Sequence, residues 1–344
     1  MRLEVMDILS TKDNTQSTNW LLRIEDLKIC FRRRGGRLLP VVDTANLSLQ
    51  ENQAIGIVGE SGSGKTMLCR AIIGTLHRHG ALVTSGEIIF KNQSLVHATE
   101  QRWRKIRGRH IGYVPQSSLA GLNPVLTIGT QLIESITATK SKNHHQAKRE
   151  AIELLDRVRI SRPEHVFNSL PHQLSGGMRQ RVMIAAAIVQ KPDLLIADEP
   201  TTALDVTVQR EILNLIKSLL SELGMSLILV SHDLAVIEEV CDSLMVMYAG
   251  ASVEVGPVER LANSPRHPYT RALRVSRVDL ADPGEDLEAI PGSPASIGSW
   301  AEGCRFWPRC PLAIEDCKSG LQPPLSYIHK QMSACILADQ VENV

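Results

Sequence analysis

Residues 21–31 alternate apolar and polar side chains, the period-two pattern of a half-buried strand. Residues 41–49 read as a returning strand, after a basic, glycine-bearing hairpin at 32–40. Short apolar runs of strand length follow at Ala54–Val58, 87–90, 111–114, 194–197, 227–230 and 244–247. Between them the spacing turns helical. Residues 146–158 carry Ile152, Leu155 and Val158 on one face, residues 208–223 show the same period, and 67–73 and 180–189 are helix-like. Strands alternating with helices predict an α/β fold with a largely parallel sheet covered on both faces, preceded by an antiparallel β region. From Pro115 to about Gln190 strand-like runs give way to helical ones. After Pro257 the composition shifts to Pro, Gly and Ser, with Pro283-Gly284 and Pro291-Gly292-Ser293-Pro294 as turn signals. A boundary is therefore expected near 258, with a small accessory domain over 258–344 after a main domain over 20–257. No internal repeat is visible.

Composition narrows the classes. The chain has 344 residues, 43% hydrophobic and 22% charged, an ordinary balance for a globular protein with a real core. The net charge of +1 and 3% aromatic content give no electrostatic or stacking footprint for nucleic acid. No apolar run approaches the roughly 20 residues that span a bilayer. Residues 1–19 read as a polar, disordered leader without a signal pattern, so the chain is expected to stay in the cytoplasm. If it works at a membrane, other chains must hold it there.

The chemistry begins at Gly59-Glu60-Ser61-Gly62-Ser63-Gly64-Lys65-Thr66, which fits G-x-x-x-x-G-K-[ST] between a strand and a helix. Glycines let successive N–H groups turn toward one anion. Lys65 can reach outer phosphates, and the Thr66 hydroxyl can ligate Mg²⁺. A second strand ends in Asp198-Glu199. Ligands of a doubly wound sheet bind beyond the carboxyl ends of its strands, so both acids are expected beside the phosphate loop. Asp198 suits the Mg²⁺ shell, and Glu199 is left to polarise an attacking water. His232 ends a third such strand. A lone histidine there is commonly structural; its repeat of the strand-end position favours a role at the phosphates. Ser175-Gly176-Gly177 precedes a helix and reads either as a plain N-cap or as an anion site.

Taken with Leu174-Ser175-Gly176-Gly177-Met178, these residues resemble the ATP-binding subunit of an ABC transporter over roughly residues 20–335. The resemblance implies a P-loop NTPase core with a helical subdomain at about 116–190. It makes His232 a switch residue at the γ-phosphate, and Gln116 a contact to Mg²⁺ or the water. Phe31 takes the place of an aromatic that stacks on adenine, with a buried core Phe as the competing reading. Ser175, Gly176 and Gly177 would bind the γ-phosphate held by a partner subunit, and Ala203-Leu204-Asp205 resembles the loop that communicates between the two. The family's usual Gln is Met178 here, which resembles the peptide-importer branch.

Seven cysteines fall into two groups. Cys30, Cys69 and Cys241 sit among apolar neighbours and read as core residues. Cys304, Cys310, Cys317 and Cys335 cluster near the C-terminus, where four thiolates suit either Zn²⁺ or an iron–sulfur cluster. Their spacing matches neither a zinc ribbon nor the common ferredoxin runs. With Arg266-His267-Pro268-Tyr269-Thr270 and Arg309-Cys310-Pro311, the tail resembles that of the oligopeptide/dipeptide and nickel importers, some of which carry a [4Fe–4S] cluster.

The resemblance implies an ATPase at the cytoplasmic face of the membrane that powers import of di- or oligopeptides. Its partners would be two permease subunits contacted through residues 117–131, a second ATPase subunit and an extracytoplasmic binding protein. A nickel importer is the nearest alternative. A soluble ABC-type ATPase of repair or translation is the reading from another class, and it lacks the second cassette or long insert such proteins carry.

Overall fold

The computed structural model describes residues 20–33, 35–117, 121–138, 143–202, 204–277 and 289–341. The expected leader, Ala203, Pro283-Gly284 and part of the 117–131 segment lie outside the described residues. The strands in chain order are β1 Trp20–Arg32, β2 Leu38–Gln50, β3 Ala54–Val58, β4 Ala81–Phe90, β5 Gln93–Ser94 and β6 Ile111–Val114. They continue with β7 Leu194–Asp198, β8 Ser226–Ser231, β9 Ser243–Tyr248, β10 Ala251–Pro257, β11 Ser326–Ile328 and β12 Gln331–Ser333. The chain divides into two compact units. One comprises Met1–Gln50, Ala54–His97 and Ser231–Val344, the other Glu51–Gln53 and Ala98–Val230.

In the first unit the strand order is β5-β4-β1-β2-β10-β9-β3. β1 lies antiparallel between β2 and β4, which is the expected antiparallel region. β3 runs parallel to β9, and all five of its residues are buried, as a strand covered on both faces requires. Beyond Pro257 the chain groups with these strands: β12 pairs antiparallel with both β10 and β11. Four strands here were not foreseen: β5, β10, β11 and β12. β10 escapes because it carries Glu254, wholly buried, and ends in Gly256-Pro257, which reads as loop by pattern alone.

In the second unit β6, β7 and β8 run parallel. Registers of Val114 with Ala197 and Asp198 with Val230 bring three carboxyl ends to one level. Among the described residues no strand lies between Val114 and Leu194, and helices Ile128–Thr137, His144–Arg157, Pro163–Phe167 and Gly176–Ile188 fill the interval. Three helices begin two to four residues before their apolar period. Asn143 forms a capping box with Gln146, and Ser175 and Asp205 cap their own helices through side-chain acceptors. Polar first turns carry no hydrophobic signal.

Candidate nucleotide site

In the first unit β3 runs into the phosphate loop, and Lys65 opens the helix Lys65–Ile72 with Gly64 as its left-handed N-cap, φ 103°. Two glycines have no substitute. A Cβ on Gly59 would stand 2.1 Å from the Met247 carbonyl oxygen, and one on Gly64 would stand 2.9 Å from Val42 Cγ2. Lys65 is buried, and its Nζ donates to the carbonyls of Gly59 at 2.6 Å and Glu60 at 3.1 Å. The Ser63 N–H also donates to the Glu60 carbonyl, at 3.2 Å, and Gly250 N–H donates to the Ser63 carbonyl. Ser61 and Gly62 form the exposed crest, and Thr66 is half-buried. The first turn holds no acid, so the N-terminal N–H groups and the lysine leave a cradle suited to an anion. In the same unit His232 is exposed just past β8, while Ser231 Oγ and Asp233 Oδ1 accept N–H groups that start the next helix. Phe31 is half-buried in β1 opposite Leu39 and Ala81.

In the second unit three of the expected residues come together. Asp198, fully buried at the end of β7, accepts a hydrogen bond from Tyr113 Oη at 3.1 Å. Glu199 follows in the left-handed region, φ 48°, with its N–H given to the Val230 carbonyl. Its Oε2 accepts from Gln116 Nε2 at 2.7 Å and from Thr202 Oγ1 at 3.0 Å. A bulky residue held at positive φ is strained, and such strain persists where surrounding bonds determine it. Tyr113 and Thr202 went unnoticed in the sequence. The first sits on the strand that feeds Gln116, and the second lies three residues beyond Glu199. Ser175 Oγ accepts the Met178 N–H at 3.3 Å and so caps the helix. Gly177 is packed so closely that a Cβ would stand 2.8 Å from Val208 Cγ1. Asp205 Oδ1 accepts the Val208 N–H at 2.9 Å, so its visible work is as an N-cap.

Back in the first unit, the four C-terminal cysteines line one pocket with His267, Pro268, Phe306, Trp307, Ile336 and Leu337. Burial in this apolar surround pushes the Cys310 thiol up to about 11 and that of Cys335 to about 12. Cys304 N–H donates to the Cys317 carbonyl at 2.9 Å. His267 Nδ1 accepts the Tyr269 N–H at 3.1 Å, which leaves the proton on Nε2. That Nε2 and Trp307 Nε1 are both buried without a hydrogen-bond partner. Among the described residues no three His, Cys, Asp or Glu side chains are placed to hold a single metal ion. Cys30, Cys69 and Cys241 are buried core residues, as expected.

Residues 42–202 match the ABC transporter family, and residues 253–317 match the oligopeptide/dipeptide transporter C-terminal region. A putative peptide import ATP-binding protein of Brucella abortus is 44% identical over 315 residues, covering 92% of this chain and 94% of that protein. The oligopeptide transport ATP-binding protein AppD of Bacillus subtilis is 39% identical over 320 residues, 93% of this chain and 97% of its own. Among solved structures, a dimeric ATP-binding cassette in a post-hydrolysis state with ADP and Pi aligns with a TM-score of 0.61 at 27% identity. It covers 69% of this chain and 98% of that one. No described helix is long and apolar enough to cross a membrane. The chain belongs to the ATP-binding subunits of ABC transporters, in the branch that carries the oligopeptide/dipeptide C-terminal region.

Proposed function

We propose that this chain hydrolyses ATP to power import of di- or oligopeptides through partner permease subunits. The observation that carries the reading is the joint match of an ATPase cassette and the oligopeptide/dipeptide C-terminal region in one chain. The intact chemistry supports it. Gly59, Ser61, Gly62, Ser63, Gly64 and Lys65 would bind the phosphates, Thr66 and Asp198 would be the Mg²⁺ ligands, and Glu199 would take the water's proton or orient it. Gln116, bonded to the Glu199 carboxylate, senses the reacting group, and His232 steadies the γ-phosphate. Phe31 would stack on the adenine. Ser175, Gly176 and Gly177 close on the nucleotide of a second ATPase subunit, with Asp205 near that seam. An extracytoplasmic binding protein delivers the peptide, and the chain works at the cytoplasmic face of the membrane. Uptake of labelled peptides and of radioactive nickel by cells carrying Glu199→Gln tests this. Peptide uptake should be abolished and nickel uptake kept; the reverse would make this a nickel importer.

The cysteine pocket adds a second element to the reading. A [4Fe–4S] cluster spreads its four thiolates around a larger body and accepts hydrogen bonds at its sulfurs. One pocket lined by all four cysteines, with unpartnered N–H groups on His267 and Trp307, supports this reading over four idle thiols. The cluster would serve structurally, tying Cys304, Cys310, Cys317 and Cys335 of the accessory segment 258–344 together. Protein purified without oxygen should absorb in the visible blue and contain iron; colourless protein with stoichiometric zinc would end this reading.

A further inference from the structure

The C-terminal segment reaches the phosphate loop directly, at one residue. Glu60, directly after Gly59, has every polar group engaged. Its carbonyl receives Lys65 Nζ and the Ser63 N–H. Its N–H donates to Tyr269 Oη at 2.8 Å. Its carboxylate takes a two-point bond from Arg309, at 2.6 Å from Nη1 and 2.9 Å from Nη2. Two-point pairing fixes orientation as well as distance. Arg309 is itself locked. Its side chain is 6% exposed, Nε donates to the Pro291 carbonyl at 2.7 Å, and Nη1 lies 3.4 Å from Tyr248 Oη. Tyr269 is wholly buried and packs its ring against Tyr248 and Phe306, with centroids 4.7 and 5.3 Å away. Hydrogen bonds to the Glu60 carboxylate push the Arg309 pKa above the usual guanidinium value.

This arrangement has an electrostatic consequence. An uncompensated carboxylate one residue inside a phosphate-binding loop would repel the ligand the loop binds. Bound to Arg309, it becomes a neutral handle by which the loop is held. Because the Lys65 ammonium rests on the same residue's carbonyl, a shift of Glu60 moves the cation too.

We propose that Arg309 and Tyr269 are positioning residues for ATP binding, through which the C-terminal segment sets the phosphate loop by holding Glu60. The proposal rests on the reading of residues 59–66 as the ATP site. ATP affinity and steady-state hydrolysis are compared for the full chain, Arg309→Gln, Arg309→Lys and Tyr269→Phe, with thermal unfolding recorded for each. Arg309→Gln should raise Kd and KM for ATP about tenfold while kcat changes less than about threefold, the cost of a lost charge-assisted pair. Arg309→Lys should recover part of the loss. Tyr269→Phe keeps the ring and removes only the hydroxyl, so it stays informative if Arg309→Gln fails to fold; a rise of about threefold in Kd is expected. Adding Glu60→Gln to Arg309→Gln should restore part of the affinity by removing the exposed charge. If the unaltered chain binds ATP and folded Arg309→Gln and Tyr269→Phe bind it equally well, the proposal is overturned. If the unaltered chain binds no ATP, the reading of the loop itself fails.

Discussion

The phosphate loop is held by buried groups, whereas the Glu199 carboxylate is held by side chains that water can reach. Around the loop, Gly59 lies against the Met247 carbonyl and Gly64 against Val42, Lys65 is buried, and Glu60 is clamped by Arg309. Around Glu199, the carboxylate accepts from Gln116 and Thr202, both exposed, and the backbone sits at φ 48° with its N–H on the Val230 carbonyl. A buried, over-determined loop gives a constant grip on phosphate. A strained acid on exchangeable hydrogen bonds can be released and re-formed as its surroundings change. On the proposed roles, binding and triggering are built from different materials, and they should fail separately.

The largest separation is expected from Glu199→Gln. Turnover should fall by about a thousandfold, the usual order for removing the group that activates the nucleophile. ATP affinity measured on the same preparation should stay within about a factor of two, and the nucleotide-loaded form should persist as a dimer on size-exclusion chromatography. Gly59→Ala attacks the other region. With its Cβ placed 2.1 Å from a carbonyl oxygen, it should destabilise the fold by about 3 kcal/mol in a denaturant titration and abolish ATP binding.

The buried carboxyl of β10 has its own pH signature. Burial raises the Glu254 carboxyl from 4.5 to about 7, even though it accepts bonds from the backbone of Arg266 and His267 and from Gln331. A carboxyl raised on folding stabilises the native state fully below its unfolded value, and that stabilisation is lost as pH rises through the folded one. Between pH 5 and 8 the native chain should therefore lose up to about 3 kcal/mol relative to Glu254→Gln. Parallel pH profiles would remove Glu254 from this role. A smaller effect is expected at the trigger. Gln116→Ala should lower kcat about tenfold, one hydrogen bond to a charged group, and leave stability unchanged within 0.5 kcal/mol or so, since Gln116 is exposed.

The legible parts of the chain share a physical cause. β3, β7 and β8 are continuous apolar runs because both faces are buried, and the phosphate loop stands out because its glycines satisfy backbone needs that no other residue meets. Asp198, Glu199 and Gln116 lie at or just past strand ends, and the parallel registers of β6, β7 and β8 bring those ends to one level. What stayed hidden depends on distant partners. β10 is a core strand in spite of Glu254 because Gln331 and the backbone at 266–267 supply its hydrogen bonds. Arg309 and Tyr269 meet Glu60 across 249 and 209 residues of sequence, and no local pattern encodes such a meeting. Helix starts were placed late because caps are polar.

Transport itself tests the account most directly. Proteoliposomes holding this chain with its permease subunits and binding protein would be supplied with Mg·ATP and a labelled peptide. ATP hydrolysis should rise when peptide-loaded binding protein is added, peptide should accumulate, and both should vanish with Glu199→Gln. Peptide accumulation that continues undiminished with Glu199→Gln would contradict it.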